Sequence, residues 1–170
     1  MVDASKVEKI IASMIRLQAN NRYDRLSFSA DRLDFFFDTL CRQRTNHGLS
    51  GELSLAFLSD LELAEIHDEF LDDPSPTDVI TFPGDSESDL AGEICVSVER
   101  AEAESLSRGE PFSQELALYL VHGWLHLLGL NDFSDEERRE MRRAESETLN
   151  FLSEIHAIPD FRLAPKLPEV

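Results

Sequence analysis

The chain has 170 residues, of which 42% are hydrophobic and 29% charged; this is enough to bury one core and is ordinary for a globular domain. Its formal net charge of −18 disfavours non-specific attraction to nucleic acid or an anionic membrane, so any contact with a polyanion needs a local cation such as a metal ion. Two cysteines, Cys41 and Cys95, are too few for a disulfide framework, and no apolar run is long enough to span a bilayer, so a reduced cytoplasmic compartment is expected.

Residues 1–13 read as a partly helical lead-in whose IIASMI run, interrupted by Ser13, is too short for a signal-peptide core. MIRLQAN (14–20) reads as a first strand and the polar NNRYDR after it as a turn. Over 29–44 a helix is predicted, capped by Ser29 or Asp31, with Leu33, Phe36, Phe37 and Leu40 on one face. Alternation at Leu53, Leu55 and Phe57 predicts a strand in 51–60, and Leu63, Ile66 and Phe70 predict a helix in 59–70. The two prolines of LDDPSPTD (71–78) mark a loop, VITFP (79–83) a short strand, GDSESD (84–89) a turn, and AGEICVSV (91–98) the best strand signal in the chain.

Two helices follow. The second, 112–129, is apolar almost all round and so reads as the central buried helix, with Gly129 to end it. Trp124 belongs to its core face. SDEERREMRRAESETLNFL (134–152) reads as an amphipathic surface helix capped by Ser134, its charged run solvated. Beyond Pro159 the tail is expected to fray. Strands and helices in mixed order favour an α+β or α/β arrangement; the expected fold is α+β, a small mixed sheet of about four strands packed with helices. Residues 1–155 form one domain in this reading, and 156–170 a proline-containing tail.

Within the central helix, HGWLHLLGLND (122–132) sets His122 and His126 four residues apart, hence on one face from adjacent turns. That spacing lets two imidazoles share one zinc-sized ion at about 2.0–2.1 Å each, whereas leaving both unpaired on an apolar helix would cost several kcal/mol. The stop at Gly129 lets the chain turn back, and Asp132 offers a carboxylate as third ligand, with the neutral amide of Asn131 as the alternative. A fourth position left open to water is the catalytic rather than the structural arrangement. The zinc-protease motif HExxH is excluded, because Gly123 stands where its general base would be.

These residues resemble the YbeY family of bacterial endoribonucleases and ribosomal RNA maturation factors, whose signature is His-Gly-x-Leu-His-Leu-x-Gly-x-Asp-His. A second block, PTDVITFP (76–83), resembles the family's Pro-Thr-Asp-Val-Leu-Ser-Phe-Pro, and LAGEICVSVERAEAE (90–104) resembles the strand and helix that follow it; together the matches cover residues of roughly 52 to 151. The resemblance implies a mixed α/β fold with a metal cleft, one Zn²⁺ ion, cleavage of single-stranded RNA, maturation of the 3′ end of small-subunit ribosomal RNA, and partnership with the small ribosomal subunit. Neither a membrane nor DNA is expected as a partner. His122 and His126 carry over as metal ligands, while Asp132 stands at the place of the family's third histidine.

The chain departs from the family again just before PTD. Phe70 and Leu71 occupy the family's Tyr-Arg pair, whose arginine lies in the cleft, so phosphate binding falls to the metal, to backbone donors, or to Arg100 or Arg108. Thr77 and Asp78, at the loop-to-strand junction, are candidate substrate contacts; their other reading is a turn that caps local backbone. Glu115, seven residues before His122 and about 10.5 Å away along the axis, is too far to be a ligand, Glu93 either faces the cleft or sits at the start of its strand, and no general base is evident. His47 and His67 read as surface residues. Two rival functions remain open: a non-catalytic ribosome-assembly factor with a structural metal site, and a metal-dependent hydrolase of another substrate.

Overall fold

The computed structural model describes residues 15–44, 48–73 and 75–166; the lead-in 1–13 and His47 lie outside them. Four strands, β1 (Ile15–Asn21), β3 (Gly51–Leu58), β4 (Val79–Asp85) and β5 (Leu90–Ser97), form one sheet in the order β1-β3-β5-β4. β1, β3 and β5 run parallel and β4 antiparallel, so the fold is α+β with a mixed four-stranded sheet, as expected. The helices are α1 (Ala30–Gln43), α2 (Asp60–Leu71), α3 (Val98–Arg108), α4 (Phe112–Leu127) and α5 (Asp135–Glu154).

Local chemistry explains where the helices start. Ser29 accepts from the Arg32 amide, and Ser59 and Ser134 each close a reciprocal capping box, with Glu62 and Glu137 respectively. Leu33, Phe36, Phe37 and Leu40 are all buried, so the periodicity of α1 identified its inner face. β4 runs two residues past the expected end and through Pro83; a strand at the sheet edge tolerates a residue with no amide to donate.

The sheet separates two cores. On one face Leu53, Leu55, Phe57, Ile94 and Val96 pack against α1, α3, α4 and α5, around the fully enclosed Trp124, whose ring meets Phe37 edge-on at 6.4 Å. On the other, Ala56, Leu58, Ile80 and Cys95 pack against Leu63 of α2. Glu93 shares this second face, where its charge and the burial of Cys95 push that thiol up to about 12, so Glu93 does not point toward α4.

α4 approaches the sheet at Gly123. A Cβ there would lie 2.7 Å from Cγ2 of Ile94 and 3.2 Å from Cγ2 of Thr81, both short stiff branches held on strands. The place that a zinc protease gives to its glutamate is therefore pressed against the sheet, with no room for any side chain.

Two expectations are corrected. Residues 160–166 do not fray: Phe161 is buried, as is Ala157 just before Pro159, Phe161 packs on Phe28 and Phe57, and β6 (Arg162–Leu163) pairs antiparallel with β2 (Leu26–Ser27). Burying the Phe161 side chain contributes about 1.5–3 kcal/mol, and the backbone pairing of β6 with β2 adds to it against the entropy of ordering this segment. His67 is not a surface residue either. Its side chain is 15% exposed, and Nδ1 lies 2.9 Å from the Ser75 carbonyl oxygen, tying the end of α2 to the loop before β4.

Candidate metal centre

α4 carries His122 and His126 on one face, and the way it ends brings the third donor back. Leu128 caps the helix, Gly129 takes φ +93, and the Leu130 amide donates to the Leu125 carbonyl at 3.1 Å; this is the glycine-terminated fold-back that a residue with a Cβ enters only under strain. The same turn aims the Leu130 carbonyl at Nδ1 of His126, 2.9 Å away. A carbonyl oxygen can only accept, so Nδ1 carries the proton and Nε2 keeps its lone pair. On the other ring, Nδ1 of His122 meets Oε1 of Glu145 at 2.6 Å, with the same consequence.

Both Nε2 atoms therefore point their lone pairs at one spot, 2.9 Å apart, with the ring planes nearly perpendicular at 89°. Oδ2 of Asp132 stands 3.8 Å from Nε2 of His122 and 3.7 Å from that of His126. Tetrahedral coordination at about 2.0–2.1 Å puts neighbouring ligand atoms about 3.3 Å apart, and these three separations bracket that value. Two facing lone pairs at hydrogen-bond distance repel unless a cation or a shared proton lies between them. Burial alone would lower the pKa of His122, but the hydrogen bond its ring donates to Glu145 and the charges of Glu145, Asp78 and Asp132 outweigh it and raise it. The pocket thus favours positive charge, and its donor set of two imidazoles and a carboxylate fits zinc.

Asn131 is not among the converging donors; its side chain lies near Glu137 in the first turn of α5 and helps hold that carboxyl below its ordinary range, after the larger effect of Ser134. Arg138 fixes the backbone between the two helices, donating to the carbonyls of Asp132 at 3.1 Å and Phe133 at 2.8 Å.

The triad opens on a cleft of about 260 Å³ that Asp78, Glu115, Tyr119 and Glu145 help to line. Asp78 thus shares the cleft with His122 and Asp132, and its own backbone carbonyl accepts from the Ser97 amide at 2.9 Å. Thr77 does not reach this cleft. It lines an adjoining hollow of about 270 Å³ with Arg100 and Arg108, and Asp78, Arg108 and Tyr119 border both spaces. Glu115 is buried and paired with Arg108 at 3.3 Å; burial pushes its carboxyl above the ordinary range against the pull of that arginine. Arg108 also holds Glu104, and Arg100 holds Asp60, so both cations that the sequence offered for phosphate already have carboxylate partners.

The residue that the sequence reading missed is Glu145. It lies on the helix read as an amphipathic surface helix, two residues past the charged run EERREMRR (136–143) and 23 residues beyond His122. The available signal was its place one turn after Met141, which is buried and marks the inner stripe of α5. A carboxylate bonded to the far nitrogen of a ligating imidazole orients the ring and raises its basicity. Glu145→Gln is accordingly expected to weaken zinc binding by about 10–100-fold without unfolding the protein. Competition with a chromogenic zinc chelator measures this, and an unchanged affinity would remove the orienting role.

Comparison with known proteins gives a consistent result. Residues 18–153 match the family described as Endoribonuclease YbeY. The Endoribonuclease YbeY of Chlamydia pneumoniae is 41% identical over 118 residues, which span 64% of this chain and 74% of the relative. The protein of the same name from Carboxydothermus hydrogenoformans is 28% identical over 137 residues, covering 79% of this chain and 96% of its own. Among solved structures, the solution structure of TM1509 from Thermotoga maritima aligns with a TM-score of 0.58 at 25% identity, over 85% of this chain and 93% of that one.

Proposed function

The chain belongs to the YbeY family, and from that membership we propose that it is a zinc-dependent endoribonuclease that cleaves single-stranded RNA and matures the 3′ end of small-subunit ribosomal RNA in the cytoplasm. The observation that carries the metal dependence is the convergence of Nε2 of His122, Nε2 of His126 and Oδ2 of Asp132 beside an open cleft. These three side chains would hold the ion. When bound there, zinc would supply Lewis acidity toward a phosphate oxygen or would lower the pKa of a coordinated water toward about 7. Glu145 and the Leu130 carbonyl keep both imidazoles in the ligating tautomer. Asp78 and Thr77 border the path along which a strand would lie, and Asp78, whose carboxylate already accepts from the Val79 amide, can take a hydrogen bond from a sugar or base edge. No helix of the described residues is long and apolar enough to cross a membrane.

The relatives compared carry the name endoribonuclease, which supports the reaction class. The rival assembly-factor reading draws on Leu71, more than half exposed and unable to bind phosphate where the family's arginine is expected. One assay separates the two. Zinc-loaded protein is expected to cut a single-stranded RNA, to spare the same sequence in a duplex, and to stop when a chelator removes the metal. RNA left intact by protein carrying stoichiometric zinc would favour the assembly factor.

A further inference from the structure

The cleft that holds the histidines presents three arginines, and two of them are already engaged. Arg108 is ion-paired with Glu104 and Glu115, and Arg138 holds Asp135 and the carbonyls before it. Arg142 lines the same cleft as His122 and Asp132, and among the described residues it has no carboxylate or carbonyl partner. Arg44 and Arg139 also lack one among the described residues, but neither lines this cleft, so Arg142 is the unengaged guanidinium at the site in a chain of net charge −18.

Its position follows from helix geometry. Arg138, Met141, Arg142 and Glu145 fall at i, i+3, i+4 and i+7 on α5, one continuous stripe, and all four line the cleft. Each does something different. Arg138 holds the turn that carries Asp132, Met141 is buried against the core, and Glu145 orients His122. Arg142, one turn before Glu145, is left with five N–H donors at the mouth of the site.

We propose that Arg142 is the residue that binds the RNA backbone in this cleft, its guanidinium forking onto a non-bridging phosphate oxygen pair next to the triad. The chain then recruits from α5 a cation that it lacks at Leu71 of α2. A planar fork suits phosphate better than a point charge does, and one positive group at the site offsets an acidic surface that otherwise repels the substrate. This inference rests on the site being an RNA-cleaving one.

The test uses the full-length protein and a short, 5′-labelled, single-stranded RNA, with binding followed by fluorescence anisotropy at several salt concentrations. Arg142→Ala is expected to bind about tenfold more weakly and to lower the slope of log affinity against log salt by about 0.7, the value for one lost phosphate contact on a single strand. Arg142→Lys is expected to recover the slope and part of the affinity, and zinc content is expected to stay stoichiometric in both. Arg143→Ala removes the same charge from the outer side of α5, where Arg143 faces Glu147 at 3.9 Å, and is expected to shift affinity less than twofold. Equal weakening by Arg143→Ala would assign the effect to the overall field and overturn the inference. So would unchanged affinity and slope in Arg142→Ala while the wild type binds and cuts RNA. A zinc-loaded wild type that neither binds nor cuts RNA would overturn the reading of the site together with the inference.

Discussion

Replacing His126 with alanine is expected to lower zinc affinity about a thousandfold and to abolish RNA cleavage at ordinary metal concentrations. A thousandfold is about 4 kcal/mol, a plausible share of the roughly 10–16 kcal/mol with which structural zinc sites bind. His126 provides one of three protein donors, its ring already turned by the Leu130 carbonyl, so no neighbouring group can replace it without rebuilding the end of α4. The fold should survive. The side chain is 22% exposed, so water can reach the released carbonyl, and the helix is otherwise held by its apolar contacts with the sheet. Isothermal titration with zinc, beside a thermal melt of the metal-free proteins, gives both quantities. A variant that bound zinc as the wild type does would eliminate the centre.

Asp132→Ala is expected to cost about a hundredfold in zinc affinity, and Asp132→His to retain it. The carboxylate is the only one of the three donors outside α4, and it is held in place by Arg138 through its own backbone carbonyl. Removing it leaves two imidazoles and open positions for water, a markedly weaker site for a tetrahedral ion. Histidine restores a third strong donor and is the residue of the motif that the chain resembles; it also makes the site one unit more positive, which favours a phosphate-bearing ligand. Asn131→Ala is the internal comparison. Its side chain is engaged with Glu137, so its loss should leave zinc affinity unchanged while slightly loosening the start of α5. If Asn131→Ala weakened zinc and Asp132→Ala did not, the assignment of the third ligand would move by one residue.

These two experiments probe the part of the site that local sequence describes well. The four-residue step between His122 and His126 and the glycine stop at Gly129 depend only on helix geometry and on the absence of a Cβ, so both could be read directly. The serine caps of α1, α2 and α5 were legible for the same reason, since a cap bonds an amide three residues away. Fold class was legible because the alternation in β3 marks a strand, the stripe in α1 marks a helix with one inner face, and the all-round apolar surface of α4 marks a helix enclosed by the rest.

Glu145 and Arg142 were not legible. In sequence Arg142 sits in, and Glu145 just after, a charged run that reads as solvated, and only the docking of α5 beside α4 turns one side of that helix into the wall of a cleft. The tail misled for a parallel reason: prolines predict local irregularity, while the burial of Phe161 against Phe28 and Phe57 and the pairing of β6 with β2 depend on segments far away in the chain.

By itself the sequence determined the helices and the four main strands, the shared face of the two histidines and the turn that returns Asp132, because each is decided by residues within a few positions of one another. Only the tertiary structure decided that Gly123 presses on the sheet, that Asp78 and Glu145 close around His122, and that Arg142 is the cleft arginine left without a partner. Those are contacts between segments far apart in the chain, and their energies come from packing and charge that no local pattern encodes.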